Sequence, residues 1–157
     1  MTDSLGAVAE RTPHRDSLDE SSIARTLAIV GDRWSFLILR SAFRGIHRFD
    51  EFQDDLGIGR GVLADRLRRL VDAGVLTKVQ YSERPARYEY RLTPMGTELS
   101  PALVALLFWG DKHLSDPDGP PTVLVHKPCG TEFRQGFWCA SCAKVFGPSE
   151  IGSRAAG

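Results

Sequence analysis

The residues best suited to chemistry lie near the end of the chain, where four metal-binding side chains form two pairs. His126 and Cys129 are separated by two residues, and so are Cys139 and Cys142. This spacing lets a tight turn present both side chains of a pair to one ion, and three thiolates with one imidazole suit tetrahedral Zn²⁺. We therefore predict a Zn²⁺ site formed by His126, Cys129, Cys139 and Cys142.

A small zinc-ribbon-like module over residues 122–151 would have to position these ligands. The segment between the pairs, Thr131–Trp138, is expected to form a small hairpin that buries little apolar surface, so a metal would supply the missing cohesion. Two alternatives stay open: the cysteines are reduced surface residues, or Cys139 and Cys142 form a redox pair. Three cysteines at one end are in any case a poor disulfide framework for the main core.

No constellation with catalytic chemistry is recognisable in the sequence. It contains no paired carboxylates in an apolar setting, no glycine-rich phosphate loop and no Ser/His/Asp or Cys/His arrangement. Four protein ligands would also leave the predicted metal without an open catalytic position. We therefore expect that the protein is not an enzyme.

Arginine is the second residue type whose distribution suggests a function. The 157 residues carry 20 Lys and Arg and 20 Asp and Glu, so the formal net charge is zero. Residues 24–93 hold 13 of the cations, 12 of them Arg, but only nine of the anions. Arginine makes bidentate contacts with phosphate and with guanine edges. The neutral total excludes a uniformly basic nucleic-acid coat and leaves a localised basic face.

Short helices and a hairpin must position these arginines. Capping residues, apolar periodicity and glycine stops predict the following elements. They are a helix from Ser21 or Ser22 to Gly31, a helix from Asp32 to about Gly45, a short helix Asp50–Leu56, a helix from Arg60 to about Asp72, a β-hairpin with its tip at Ser82–Arg87, and one helix from Pro94 through His113. This order predicts an α+β winged helix-turn-helix domain over residues 21–115.

The fourth helix and the hairpin tip are the predicted DNA contacts. Leu63, Leu67 and Leu70 mark the core side of the helix, and small and basic residues face outward, which suits approach to a major groove. The tip arginines would contact a neighbouring phosphate or minor groove. The alternative for both elements is an ordinary solvated surface. The predicted DNA-binding residues are Arg48, Arg60, Gly61, Ala64, Arg66, Arg68, Arg69, Arg84 and Arg87.

Several motifs together carry a family resemblance. They are Val30-Gly31-Asp32-Arg33-Trp34, Ile38-Leu39-Arg40, Arg48-Phe49-x-x-Phe52, Leu63-x-x-Arg66-Leu67-x-x-Leu70, Gly74-Val75-Leu76, Tyr88-x-Tyr90-x-Leu92-Thr93-x-x-Gly96 and Trp109-Gly110. Over residues 21–112 the chain resembles the HxlR-type winged helix-turn-helix transcription regulators of bacteria, in the MarR-like superfamily. The resemblance implies a dimer, joined by its terminal helices, that binds a pseudo-palindromic operator with the fourth helix in the major groove.

Several family members sense oxidants with a cysteine at the start of the first helix. The matching position here is Ser21, which excludes thiol switching at that site.

Apolar residues outside the helix-turn-helix predict two further partners. Ala102–Trp109 is apolar all round, which indicates a homodimer because one small domain can hardly cover such a helix. A small-molecule effector pocket would lie between the DNA-binding core and the dimer helices, although core packing explains the same residues. Its predicted lining is Trp34, Phe36, Phe43, Phe108 and Trp109.

The remaining segments carry no recognisable chemistry. Residues 1–20 are expected to be a flexible tail, residues 116–121 a linker and residues 152–157 a second tail. The sequence shows neither a targeting signal nor an apolar run near the roughly 20 residues that span a bilayer, so we expect a cytoplasmic protein with no membrane partner.

The sequence thus predicts a dimeric, sequence-specific double-stranded DNA-binding transcriptional regulator that acts as a repressor, reading its operator with helix 60–72 and wing 82–87. The alternative is an interaction factor, built from a winged helix and a zinc ribbon, that docks on the transcription machinery without reading an operator.

Overall fold

The computed structural model describes residues 21–114, 118–120, 122–132 and 136–152. The chain divides into two units, Met1–Gly96 and Thr97–Gly157. The predicted tail over residues 1–20 lies outside the described residues, as do parts of the predicted linker and of the last tail. Within the described ranges, no helix has both the length and the apolar character needed to cross a membrane.

Four helices open the first unit, close to the predicted positions. They are α1 (Ser22–Val30), α2 (Arg33–Phe43), α3 (Phe49–Leu56) and α4 (Arg60–Asp72). The side chains of Ser21 and Asp32 accept backbone N–H groups at the starts of α1 and α2, as predicted for N-caps. Gly57 and Gly74 end α3 and α4 at φ 58° and 73°, where a side chain would be strained.

A two-stranded antiparallel hairpin follows the helices. Strands β1 (Leu76–Glu83) and β2 (Ala86–Leu92) pair from Leu76 opposite Leu92 to Glu83 opposite Ala86, and the register shifts between Gln80 and Ser82. The core lies where α2, α3 and α4 meet the start of β1. Its fully buried large side chains are Ile38, Leu39, Phe52, Leu63, Leu67, Leu70 and Leu76.

The prediction of one continuous last helix is wrong. The structure contains α5 (Pro94–Thr97) and, separately, α6 (Ser100–His113). Pro101 explains the break, because it has no N–H and its ring would clash with a carbonyl of the preceding turn, whereas it fits the first turn of α6. Gly96 packs directly against the Val75 carbonyl, and a Cβ there would also lie 3.2 Å from Leu92 Cδ2.

After α6, the second unit contains little regular structure. Val125 bridges Glu132, strands β3 (Phe137–Cys139) and β4 (Lys144–Phe146) form an antiparallel hairpin, and a 3₁₀ helix covers Pro148–Glu150. The hairpin expected within Thr131–Trp138 falls partly on residues 133–135, outside the described part, and stays a prediction, whereas the observed hairpin of β3 and β4 lies around the second ligand pair. Of the residues from 118 to 152 whose burial is described, none is buried.

Candidate nucleic-acid interface

Helix α4 turns its leucines inward and its small residues outward. Leu63, Leu67 and Leu70 are fully buried, whereas Gly61 and Ala64 are exposed. A Cβ at Gly61 would meet no other atom within 4 Å, so the surface is open there. The N-cap, Gly59, has no side chain to accept first-turn N–H groups, and such helix starts attract phosphates. The exposed N-terminal end of α4 is therefore physically suited to close approach by DNA.

Arg60 stands at this end of α4 and is oriented by two neighbours on α3. Its guanidinium lies 4.9 Å from the centre of the Phe49 ring, and Nη1 lies 3.8 Å from Asp50 Oδ1. The side chain is nonetheless 74% exposed. Arg60 is therefore held in a defined direction while its charge stays accessible to a partner.

Asp65 sits at the centre of a cluster of arginines on α4. It forms ion pairs with Arg68, with Arg69 Nε at 2.9 Å, and with Arg66 Nη1 at 3.0 Å. The hydrogen bond from Arg68, together with the charges of all three arginines, holds the pKa of the Asp65 carboxyl below its usual range. Arg68 and Arg69 remain mostly exposed. Asp65 thus arranges their guanidinium groups without covering them.

Arg66 differs from the other arginines of the predicted set. Its side chain is only 24% exposed, and Nε lies 3.0 Å from Asp32 Oδ1, without the alignment of a hydrogen bond. Asp32 is partly buried, which opposes ionisation, but hydrogen bonds from Ser35 and the charge of Arg66 hold its pKa below the usual value. Arg66 therefore ties α4 to the start of α2 and shares Asp65 with Arg68 and Arg69, but its side chain is less exposed than theirs.

The wing carries its predicted arginines at an exposed tip. Arg84 and Arg87 lie at the turn between β1 and β2. Arg48, the third predicted contact outside α4, lies with its guanidinium 4.8 Å from the centre of the Tyr81 ring and its Nε 3.4 Å from Glu89 Oε1. Arg48 therefore links the start of α3 to the hairpin and fixes the direction of the wing.

A cleft of about 570 Å³ separates the wing from the adjoining ends of α3 and α4. Three of its lining residues belong to the predicted DNA-binding set, namely Arg48, Arg60 and Arg87. The prediction missed its aromatic residues, which include Tyr81 and Tyr88. Their alternation along the hairpin shows in the sequence, but only the observed register reveals that they share this cleft.

The start of α3 is stabilised by a carboxylate. Glu51 accepts hydrogen bonds from the backbone N–H groups of Arg48, at 3.0 Å, and His47, at 3.2 Å. These bonds hold the pKa of Glu51 below its usual range. The backbone N–H of Tyr90 also donates to the His47 carbonyl at 2.7 Å, so this corner anchors β2 as well.

The predicted metal ligands lie in two turns of the second unit. His126 Nδ1 is 3.2 Å from Cys129 Sγ, and hydrogen bonds from Thr131 and then His126 lower the Cys129 pKa to about 7. Backbone N–H groups of Cys142 and Ser141 lower the pKa of Cys139. The described residues contain no group of three or more metal-binding side chains placed close enough to share an ion.

The predicted effector-pocket residues belong to both units. Trp34, Phe36 and Phe43 are half-buried on α2, whereas on α6 Phe108 is half-buried and Trp109 is 57% exposed. The effector pocket stays a prediction.

Comparison with known proteins agrees with this geometry. The model of the HxlR-like helix-turn-helix family matches residues 29–118. An uncharacterized HTH-type transcriptional regulator of Mycobacterium tuberculosis is 46% identical over 123 residues, which is 78% of each chain. The HTH-type transcriptional regulator YtfH of Escherichia coli is 32% identical over 109 residues, covering 69% of this chain and 79% of YtfH.

Solved structures extend the similarity beyond the helix-turn-helix. The transcription factor PA1607 has a TM-score of 0.78 at 36% identity, over 90% of this chain and 100% of PA1607. PA1374 from Pseudomonas aeruginosa has a TM-score of 0.64 at 36% identity, over 87% and 92% of the two chains. The reduced redox regulator HypR has a TM-score of 0.56 at 29% identity, over 59% and 92%. The resemblance found in the sequence is confirmed: the chain is a transcriptional regulator of the HxlR-like helix-turn-helix family.

Proposed function

We propose that this protein is a dimeric repressor that reads a pseudo-palindromic operator in double-stranded DNA. The observation that carries the proposal is the outer face of α4, where Gly61 and Ala64 leave the helix surface open between the exposed guanidinium groups of Arg60 and Arg68. Small residues let a helix enter a major groove deeply, and flanking arginines then reach guanine edges or phosphates.

The wing supplies the second part of the proposed contact. Arg84 and Arg87 are exposed at a tip whose direction is set by Arg48 and Tyr81. Cations placed beside a recognition helix bind phosphates and fix its register on the duplex without reading bases. In this proposal α4 gives sequence preference and the wing gives affinity.

Dimerisation is proposed through apolar side chains that a single chain leaves exposed. Helix α6 has no buried residue, and its Leu106 and Trp109 are more than half exposed. Ile23 and Leu27 of α1 are exposed to a similar extent. Covering such surface with a second copy stabilises it by about 25 cal/mol per Å², and a two-fold dimer would present two α4 helices to successive major grooves about 34 Å apart.

We propose repression as the mode of regulation. A dimer that occupies an operator within a promoter blocks the polymerase sterically and needs no activating surface. We propose that it acts in the cytoplasm, where a bacterial chromosome is accessible.

Selection of bound duplexes from fragmented genomic DNA tests the proposal. We expect one pseudo-palindromic motif, with half-sites about one helical turn apart, 10–10.5 base pairs, and reduced transcription from a reporter promoter that carries it. Repeating the selection with candidate small molecules would reveal an effector that releases the motif. Binding without any sequence preference would contradict the proposal and favour docking on the transcription machinery.

Sedimentation of Leu106→Glu tests the proposed dimer. The change places a charge on an apolar surface, so we expect a dimer in the parent protein and a monomer in the variant. Ile151→Glu is the matched control, since Ile151 is 55% exposed against 54% for Leu106. A parent monomer, or equal effects of both substitutions, would contradict this interface.

A further inference from the structure

The two ligand pairs of the second unit lie in turns that have the same backbone plan. In the first turn Val125 bridges Glu132, which lies seven residues later, and in the second Trp138 pairs with Val145 at the same separation. In both turns the first ligand directly follows the first residue of this pair, namely Val125 or Trp138, and the second ligand comes three positions after the first.

Backbone conformation and hydrogen bonding repeat this correspondence. The residue directly after the second ligand is left-handed in each turn, with φ 69° at Gly130 and φ 50° at Ala143. The first ligand is paired with the residue five positions on: the N–H of His126 donates to the Thr131 carbonyl at 2.8 Å, and Cys139 pairs with Lys144. A left-handed alanine is uncommon, so the second turn keeps this geometry despite a side chain that disfavours it.

In the first turn the two ligands already face each other. His126 Nδ1 and Cys129 Sγ are 3.2 Å apart. Zinc–nitrogen and zinc–sulfur bonds of tetrahedral sites would separate these two atoms by about 3.6 Å, so little movement admits an ion. In the second turn Cys139 and Cys142 occupy the corresponding positions of a turn closed by the pairing of Cys139 with Lys144.

The described residues after α6 pack together only weakly. Of the residues from 118 to 152 whose burial is described, none is buried, and Val125, Trp138 and Val145 are each more than half exposed. A tilted contact joins the rings of Phe137 and Phe146, whose centres are 5.8 Å apart. Hairpins this short are at best marginally stable in water without a packed face. Small modules of this kind gain their folding free energy from a metal that joins two turns.

We propose that His126, Cys129, Cys139 and Cys142 bind one Zn²⁺, with each turn supplying two ligands. The ion closes residues 122–152 into a structural module and leaves no open coordination position. The described residues hold the ligands as two separate pairs, and residues 133–135, which connect the turns, lie outside the described part. Metal binding therefore includes the approach of one turn to the other.

Metal analysis of the full, untagged chain, purified with a reducing agent and without chelator, tests the proposal. We expect about one zinc per chain. Cys139→Ser and His126→Ala should each lower this to below about 0.2. The matched controls Ser141→Ala, in the same turn, and His113→Ala, a histidine outside both turns, should keep the zinc.

Replacement of zinc by Co²⁺ gives a readout that does not depend on variant folding. Tetrahedral cobalt with thiolate ligands shows intense visible bands and a near-ultraviolet charge-transfer band, which we expect for the parent chain. Absence of zinc together with no such spectrum after Co²⁺ addition would overturn the proposal. A Cys139–Cys142 disulfide whose reduction restores no metal binding would do the same, and retention of zinc by His126→Ala would overturn the ligand set.

Discussion

Arg60→Ala should weaken operator binding far more than it weakens the fold. Each base contact of an arginine contributes about 1–3 kcal/mol of discrimination. A dimer carries two copies of Arg60, so removing both side chains amounts to about 2–6 kcal/mol, at least 30-fold in affinity. In the free protein the substitution removes only an exposed interaction with Phe49 and a 3.8 Å ion pair with Asp50. Interactions of this kind contribute about 0.5–1.5 kcal/mol together.

Arg33→Ala is the matched control. The Arg33 guanidinium lies 5.0 Å from the centre of the Trp34 ring, almost the distance between Arg60 and Phe49, but on α2 outside the proposed interface. Both substitutions remove one positive charge and one arginine–aromatic interaction. We therefore expect similar changes in thermal stability and a large difference in operator affinity.

Fluorescence anisotropy with the selected operator and a scrambled duplex, at one fixed salt concentration, measures this difference. Arg60→Ala should lower affinity for the operator much more than for the scrambled duplex. Equal reductions on both duplexes would show that Arg60 contacts only phosphate. A reduction no larger than that of Arg33→Ala would refute the placement of α4 in the major groove.

Three further predictions concern the wing and the fold. Replacing Arg84 and Arg87 with Ala should weaken binding to all sequences alike and lower the slope of log K against log salt by about 0.9 for each phosphate that the wing no longer neutralises; an unchanged slope would exclude the wing from the interface. Gly96→Ala should destabilise the first unit by about 1–3 kcal/mol, because the new methyl group meets the Val75 carbonyl, and a urea midpoint equal to that of the parent would contradict this packing. The pKa of Glu51 is lowered in the folded state, so its contribution is present above its ordinary pKa and is lost as the pH falls through the lower, folded value. The stability difference between the parent and Glu51→Gln should therefore shrink on acidification, and a difference that grows would reverse the assigned sign.

The sequence predicts most helices and strands of the first unit because the signals for them are local. Ser21 and Asp32 cap helices, Gly57 and Gly74 end them, and the spacing of Leu63, Leu67 and Leu70 sets the buried face of α4. Each of these features depends on neighbours within a few residues. Local rules therefore predict both the elements and the face of α4 that remains exposed.

The departures from prediction depend on distant contacts or on competing local signals. Arg66 and Arg68 look alike in the sequence, but Asp32, more than thirty residues away, forms an ion pair with Arg66, whose side chain is 24% exposed against 67% for Arg68. The apolar run after Pro101 favours one continuous helix. The free-energy cost of a proline inside a helix is larger, so α5 and α6 are separate. Tyr81 lines the cleft because of the register in which β1 pairs with β2, and neither strand alone specifies that register.

In the proposed interface, the Asp65 carboxylate competes with DNA phosphates for the arginines of α4. In the free protein this carboxylate lies beside Arg68 and Arg69, which stay mostly exposed, so a DNA phosphate that approached them would compete with Asp65 for their charge. Binding then exchanges one anion for another, with the guanidinium groups already oriented and the gain in charge attraction reduced. A duplex that only offers phosphates gains little from such an exchange, whereas one whose bases also meet α4 gains more. In the proposed complex, a single acidic residue on an arginine-rich helix would therefore favour binding to the operator over binding to the rest of the chromosome.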